Sequence, residues 1–189
     1  MLNDPVVAFQ LAMLNRVWGK YAGSVVGSDD PEKSGRLQIM CPAILGNAVV
    51  WARPCVPYAG KGVGFFMLPP EKANVWIEFE AGDTTRPIWT GCFWGSGELP
   101  DEATSADIKL IATETASIRI DDSAGSVEIA NQSEAVTSWT SNVESTAGGA
   151  SHKVSAAGVV SESAAATGKV DVSDGGVAVN GGAFKVSAG

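Results

Sequence analysis

The chain has 189 residues, 45% hydrophobic and 18% charged, with 22 Gly, 9 Pro and a net charge of −8. No uncharged apolar run approaches the 18 or so residues of a membrane span, and the acidic balance argues against nucleic acid, whose backbone is held by Lys and Arg. Cys41, Cys55 and Cys92 suit free thiols better than a disulfide framework or a CxxC metal site. Residues 1–10 place Asp4, and no basic cluster, ahead of the apolar stretch. That is the wrong order for a secretory signal, so a soluble protein assembled in the cytoplasm is expected.

The two halves differ in kind. Residues 1–100 hold 8 Lys+Arg against 9 Asp+Glu, whereas residues 101–189 hold 5 against 12. Of 14 aromatic residues, only Trp139 and Phe184 lie beyond residue 100.

Asp4-Pro5 opens a predicted helix that runs to about Lys20, with Asp as N-cap and Pro preorganised at the first helical position. Val6, Phe9, Met13 and Val17 form one apolar stripe, and Val7, Leu11, Leu14 and Trp18 form another beside it. So wide an apolar face packs on its own domain or docks on a partner. From Lys20 the period shortens. Strands are expected at Tyr21–Val26, Arg36–Met40, Ala48–Val56, Gly64–Leu68, Val75–Phe79 and Pro87–Phe93, separated by Gly- and Pro-rich turns. Val75, Ile77 and Phe79 alternate with Trp76, Glu78 and Glu80, the pattern of a half-buried strand. Five or six short strands in this length suggest a small closed barrel, because closure removes exposed edges.

These residues carry a resemblance. Ser34-Gly35-Arg36-Leu37-Gln38-Ile39, Val50-Trp51-Ala52-Arg53-Pro54, Ala59-Gly60-Lys61-Gly62-Val63-Gly64, Leu68-Pro69-Pro70, Val75 to Asp83, Arg86-Pro87 and Gly91 follow one another in order. The ordered set resembles the baseplate assembly protein V family, over about residues 20 to 95. The resemblance implies an OB-fold domain of the central spike in contractile phage tails and related injection systems. Where the family has Gly-Asp before the fifth expected strand, this chain has Lys72-Ala73-Asn74; Asn74 is expected to supply the positive φ that Gly would give.

Beyond Glu98, short apolar pairs recur: Ile108/Leu110, Ile118/Ile120, Val127/Ile129, Val170/Val172, Val177/Val179 and Phe184/Val186. Each pair is the i, i+2 face of a short strand. Residues 132–168 are rich in Ser, Ala and Thr, with Val136, Trp139, Val143, Val154, Val159 and Val160 as the sizeable apolar residues; their strand register stays open. A monomer would have little to bury here, whereas three chains sharing an axis would bury one pair per rung. The resemblance implies the same: a trimeric β-helix or β-prism following the OB domain. The expected protein is mainly β, with an N-terminal helix (1–19), a five-stranded OB barrel (20–97), a linker (98–107) and an intertwined trimeric needle (108–189).

Catalytic signals are poor. His152 is the single histidine, and no Ser or Cys sits in a recognisable catalytic motif. Some spikes of the resembling family hold a tip iron through a His-x-His pair, absent here; only a threefold axis through His152 would gather imidazoles. No catalytic, cofactor-binding or metal-binding residue is therefore expected, and no cofactor. Glu78/Glu80 and Asp121/Asp122 read as solvated pairs. Gly60-Lys61-Gly62-Val63-Gly64 lacks the ending of a phosphate loop. Trp51, Trp76, Trp89 and Trp94 could stack on bases, but the unit is near neutral.

The expected function is mechanical: a homotrimeric, membrane-piercing central spike on a baseplate, seated on a hub protein through the N-terminal helix and OB domain. A separate tip protein at the C-terminal end and a transient contact with the target envelope complete the expected partners. A trimeric fibre or adhesin recognising surface carbohydrate is the alternative, followed by an OB-fold nucleic-acid binder with a disordered tail.

Overall fold

The computed structural model describes residues 5–14, 16–133, 135–180 and 183–186. It divides into two units, Met1–Leu99 and Pro100–Gly189. No helix among the described residues is long and apolar enough to cross a membrane.

The first unit opens with helix α1 (Pro5–Leu14). The helix stops six residues short of Lys20, and contacts of the following segment explain why. The Val17 amide donates to the Gly82 carbonyl at 3.1 Å, Arg16 pairs with Asp83, and Lys20 reaches Glu78 and Thr90 at 2.8 Å each. Tertiary bonds of that kind outweigh helix propensity, and Gly19 turns the chain at φ +95°. The expected N-cap, Asp4, lies outside the described residues.

Five strands then close a barrel in the order β1-β2-β3-β7-β6: β1 (Tyr21–Gly27), β2 (Leu37–Met40), β3 (Val49–Pro54), β6 (Asn74–Phe79) and β7 (Pro87–Cys92). Alternate residues point inward. Val25, Leu37, Ile39, Ala52, Val75, Ile77, Phe79 and Trp89, with Cys41, make the core. Gly23 is required where β1 crosses β6, since a Cβ there would lie 2.8 Å from the Met40 carbonyl oxygen and 2.9 Å from Ile77. A short helix, α2 (Pro42–Leu45), follows β2, and a 3₁₀ turn (Glu80–Gly82) follows β6.

Two expectations are corrected. The strand expected over Gly64–Leu68 is a two-residue rung: β4 (Ala59–Gly60) pairs only with β5 (Val63–Gly64), and Phe65, Phe66 and Met67 lie exposed beyond it. The positive φ falls on Lys72 (+69°) rather than Asn74, because the Lys72 amide donates to the Val25 carbonyl and the Ala73 carbonyl accepts from Val25.

The second unit is one ten-stranded sheet, β8 (Ile108–Ala112) to β17 (Phe184–Val186), in which every strand pairs antiparallel with its neighbours in sequence. The strands include β11 (Val136–Trp139), β12 (Val143–Ala147), β13 (Ala150–Ser155) and β14 (Gly158–Glu162) across the Ser- and Ala-rich stretch. The ladders assigned from sequence to three chains run here as a meander within one chain. No described residue of this unit is buried; the whole core belongs to the barrel.

Candidate functional site

Register makes the second unit's sheet two-sided. Partners across each ladder stand on the same face, so they line up in columns. One column runs Ile120, Val127, Trp139, Val143 and Val154. It continues through Val159, Val172, Val177 and Val186. Two residues along each strand, a second column begins Ile111, Ile118, Ile129 and ends Val170, Val179, Phe184. All eleven large hydrophobics exposed among the unit's described residues lie in these two columns, from Trp139 at 38% to Phe184 at 62%.

Five of the six apolar pairs read from sequence stand on this face. Ile108/Leu110 does not: Leu110 opposes Arg119, and Ile111 opposes Ile118. The run Ile108, Leu110, Ile111 is apolar on both faces, so hairpin register decides it. Within the Ser- and Ala-rich stretch, Trp139, Val143, Val154 and Val159 join the apolar face, while Val136 and Val160 point the other way.

The middle of the second column is polar. Thr137, Ser145, His152 and Ser161 occupy four consecutive strands. Thr137 and Ser145 share a hydroxyl hydrogen bond of 3.0 Å, and His152 Nδ1 lies 2.7 Å from Ser161 Oγ. Among the described strand residues of this face, His152 and Lys109 are the ionisable ones, and Lys109, at the first strand, is engaged by Asp122 at 2.5 Å.

The opposite face carries the charge. Arg119, Glu128, Glu144, Lys153 and Asp171 stand in one column. Arg119 pairs with Asp121 at 2.8 Å. Hydrogen bonds from the Ser123 hydroxyl, the Ala124 amide and Arg119 hold the Asp121 carboxyl down to about 2. The Asp121/Asp122 pair from the sequence is therefore tied up in separate ion pairs.

The barrel presents two further surfaces. Val6, Val7, Met13 and Leu14 of α1 are exposed, as is Trp18 beyond it. Tyr58, Phe65 and Met67 edge an open groove of about 500 Å³. The arginines of the barrel and Lys20, by contrast, are neutralised. Arg36 binds Asp30 at 2.7 Å and Glu32 at 3.0 Å and lies 5.1 Å over Trp51. Glu80 accepts from both Arg53 and Arg86, and Glu78 holds Lys20. Trp76 packs against Phe93, and Trp89 is buried with its indole N–H on the Gly35 carbonyl, which leaves Trp94 as a bare ring at 65% exposure. Gly60-Lys61-Gly62 turns between β4 and β5, away from any helix N-terminus. No group of three or more metal-ligating side chains converges among the described residues.

A closed barrel in this strand order meets a match in sequence. Residues 21–94 fit the family model of the type VI secretion system/phage-baseplate injector OB domain. Over that segment the barrel is similar to a baseplate-injector OB domain. The match coincides to within a residue with the segment that carries the sequence resemblance, and it supports a structural role in a baseplate. No curated protein matches the chain. In the barrel, sequence reading found the core strands. It missed the exposed groove edge at Phe65–Met67, whose apolar run was indistinguishable from a strand.

Proposed function

We propose that this chain is the central spike of a contractile injection machine, a mechanical protein and not an enzyme. One observation carries the reading: a barrel similar to the baseplate-injector OB domain is followed by a sheet whose one face is almost uncharged along ten strands and carries an unbroken apolar column on nine of them. An antiparallel sheet is stable with one face solvated and the other packed. Among the described residues of this unit, no second layer supplies the packing. Nine interstrand spacings of about 4.8 Å make that face roughly 43 Å long, far beyond the patch a soluble surface usually leaves open.

Three copies, each turning this face inward, would form a prism with a shared core and a charged exterior. The load-bearing elements are then hydrogen-bonded ladders within each chain, locked by side-chain packing between chains. Bending such a prism breaks many contacts together, which is what a needle driven through an envelope by a contracting sheath requires. The apolar α1 and the groove at Phe65–Met67 are surfaces for the baseplate hub, and the end near β17 is where a separate tip protein would sit. The carbohydrate-binding alternative needs exposed aromatics, but Trp139 and Phe184 both lie on the face that the copies cover. A nucleic-acid reading needs a basic groove, but the four arginines and Lys20 of the first unit are in ion pairs, and residues 1–100 hold 8 Lys+Arg against 9 Asp+Glu.

Electron microscopy of contractile tails from the producing cell, labelled with an antibody raised against residues 100–189, tests the assignment. Label at the distal face of the baseplate is expected. Label along side fibres, or none on particles that contain the protein, would overturn it.

A further inference from the structure

The first column is nearly uniform: Val143, Val154, Val159, Val172 and Val177 follow one another on five of six consecutive strands from β11 to β16 (Gly176–Val179), with Trp139 before them. Two copies packed valine to valine gain almost the same contact if one slides by a rung, so this column cannot fix their alignment. The second column can. Its four polar rungs, Thr137, Ser145, His152 and Ser161, are bounded by Ile129 on one side and Val170 on the other.

We infer that this polar band is the register key for self-association: it aligns copies of the chain rung for rung along the apolar face. The inference rests on the reading that copies associate through that face. Its chemistry is one of unfinished hydrogen bonding. A hydroxyl donates once and accepts more than once. The single bond between Thr137 and Ser145 therefore leaves one hydroxyl proton without an acceptor in the chain. The bond between His152 Nδ1 and Ser161 leaves Nε2 over in either tautomer, as a donor or as an acceptor. Copies in register bring these leftover donors and acceptors to the same level, where they complete one another directly or through trapped water. A slip by one rung sets Thr137 against Ile129 and Ser161 against Val170, and a buried polar group without a partner is costly. A lone polar layer in an otherwise apolar seam selects alignment in coiled coils by the same logic.

Cysteine cross-linking of the full chain tests this. In a background with Cys55→Ser and Cys92→Ser, one preparation carries Val154→Cys and another Val172→Cys, two rungs apart in the first column. The two are unfolded together, refolded, oxidised and analysed by mass. With the band intact, links join like positions, and 154–172 links are at most about one tenth of them. With Thr137→Val, Ser145→Val, His152→Val and Ser161→Val, mixed links rise several-fold toward the like-position level. A second variant keeps composition and solubility: Thr137→Val with Val170→Ser moves the band by one rung. It should assemble with itself in a single register and co-assemble with the unshifted chain one rung out, so that Val159→Cys in the shifted chain links to Val154→Cys in the unshifted chain in preference to like positions. Mixed links in the parent chain, unchanged links after erasing the band, or like-position links between shifted and unshifted chains would each overturn the inference. A parent chain that stays monomeric, with no links of either kind, would overturn the association itself.

Discussion

Val154 and Val160 provide a matched test of the buried face. They sit on neighbouring strands, and both are paired within the same ladder: Val154 faces Val159, and Val160 faces Lys153. They point to opposite sides of the sheet. In the single chain Val154 is 41% exposed, so truncation to Ala there removes two methyl groups that water still reaches. If three copies bury this face, those methyls are fully desolvated. Full burial of two methyls is worth about 1.6 kcal/mol at about 0.8 kcal/mol per CH₂; association buries only the part still exposed, so Val154→Ala costs about 0.7 kcal/mol per chain and about 2 kcal/mol per trimer. That is about thirtyfold in the association constant at about 1.4 kcal/mol per factor of ten. The midpoint concentration of a monomer–trimer equilibrium varies as the square root of its constant, so it rises roughly fivefold. Val160→Ala makes the same chemical change and the same change in strand propensity, so it isolates the face. Dilution series by sedimentation equilibrium on both variants read the difference. Equal midpoints for the two, within a factor of about three, would refute the claim that the apolar face is the interface.

Three more outcomes follow from the barrel. Leu37 is fully buried, so Leu37→Ala should cost about 2–5 kcal/mol of barrel stability, read from the urea midpoint of tryptophan fluorescence; a loss below about 1 kcal/mol would contradict the core assignment. Lys72 holds a left-handed φ of +69°, so Lys72→Gly should leave stability unchanged or raise it by up to about 1 kcal/mol, and a clear loss would place the strain elsewhere. Asp30 accepts bonds from Arg36, from the Ser34 hydroxyl and from the amides of Glu32, Ser34 and Arg36. The Arg36 bond is the main cause of a carboxyl held well below the usual range. A depressed carboxyl stabilises the fold above about pH 4 and loses that contribution as pH falls further. Asp30→Asn should therefore be less stable at pH 7 and flatter than the parent below pH 4 in thermal melts, and parallel curves would rule out this role for Asp30.

What the sequence makes legible depends on how far polarity tracks the faces. In β6, Val75, Ile77 and Phe79 are buried and Trp76 and Glu78 are not, because the barrel wall has one inside and one outside. The run Phe65-Phe66-Met67-Leu68 reads as a strand by composition. Yet Pro69-Pro70 and the glycines before it leave only one rung of pairing, and the aromatics project outward. In the second unit the pairs Ile118/Ile120, Val127/Ile129 and Val170/Val172 mark the apolar face, with Arg119, Glu128 and Asp171 between their members, whereas Ile108/Leu110, which flanks Lys109, falls on the other face. Between residues 131 and 168 the alternation is among Ser, Ala, Thr and Val, which differ too little to fix a face. There the register came from hairpin geometry, through turns such as Gly148-Gly149 with φ of +53° and +83°. The polar band at Thr137, Ser145, His152 and Ser161 has no signature in the linear sequence, because its members lie 7 to 9 residues apart and only register assembles them. The family of the barrel, by contrast, was legible in the order of its short motifs, since each marks a turn or strand that the closed barrel requires.

The central claim is that three copies cover the apolar face. The most direct test is the mass of the full chain by sedimentation equilibrium over a wide dilution range. The account predicts three times the 19.4 kDa of one chain, dissociating only at low concentration. A mass of one chain at every concentration would contradict it, because the sheet would then keep its apolar face in water with nothing to cover it.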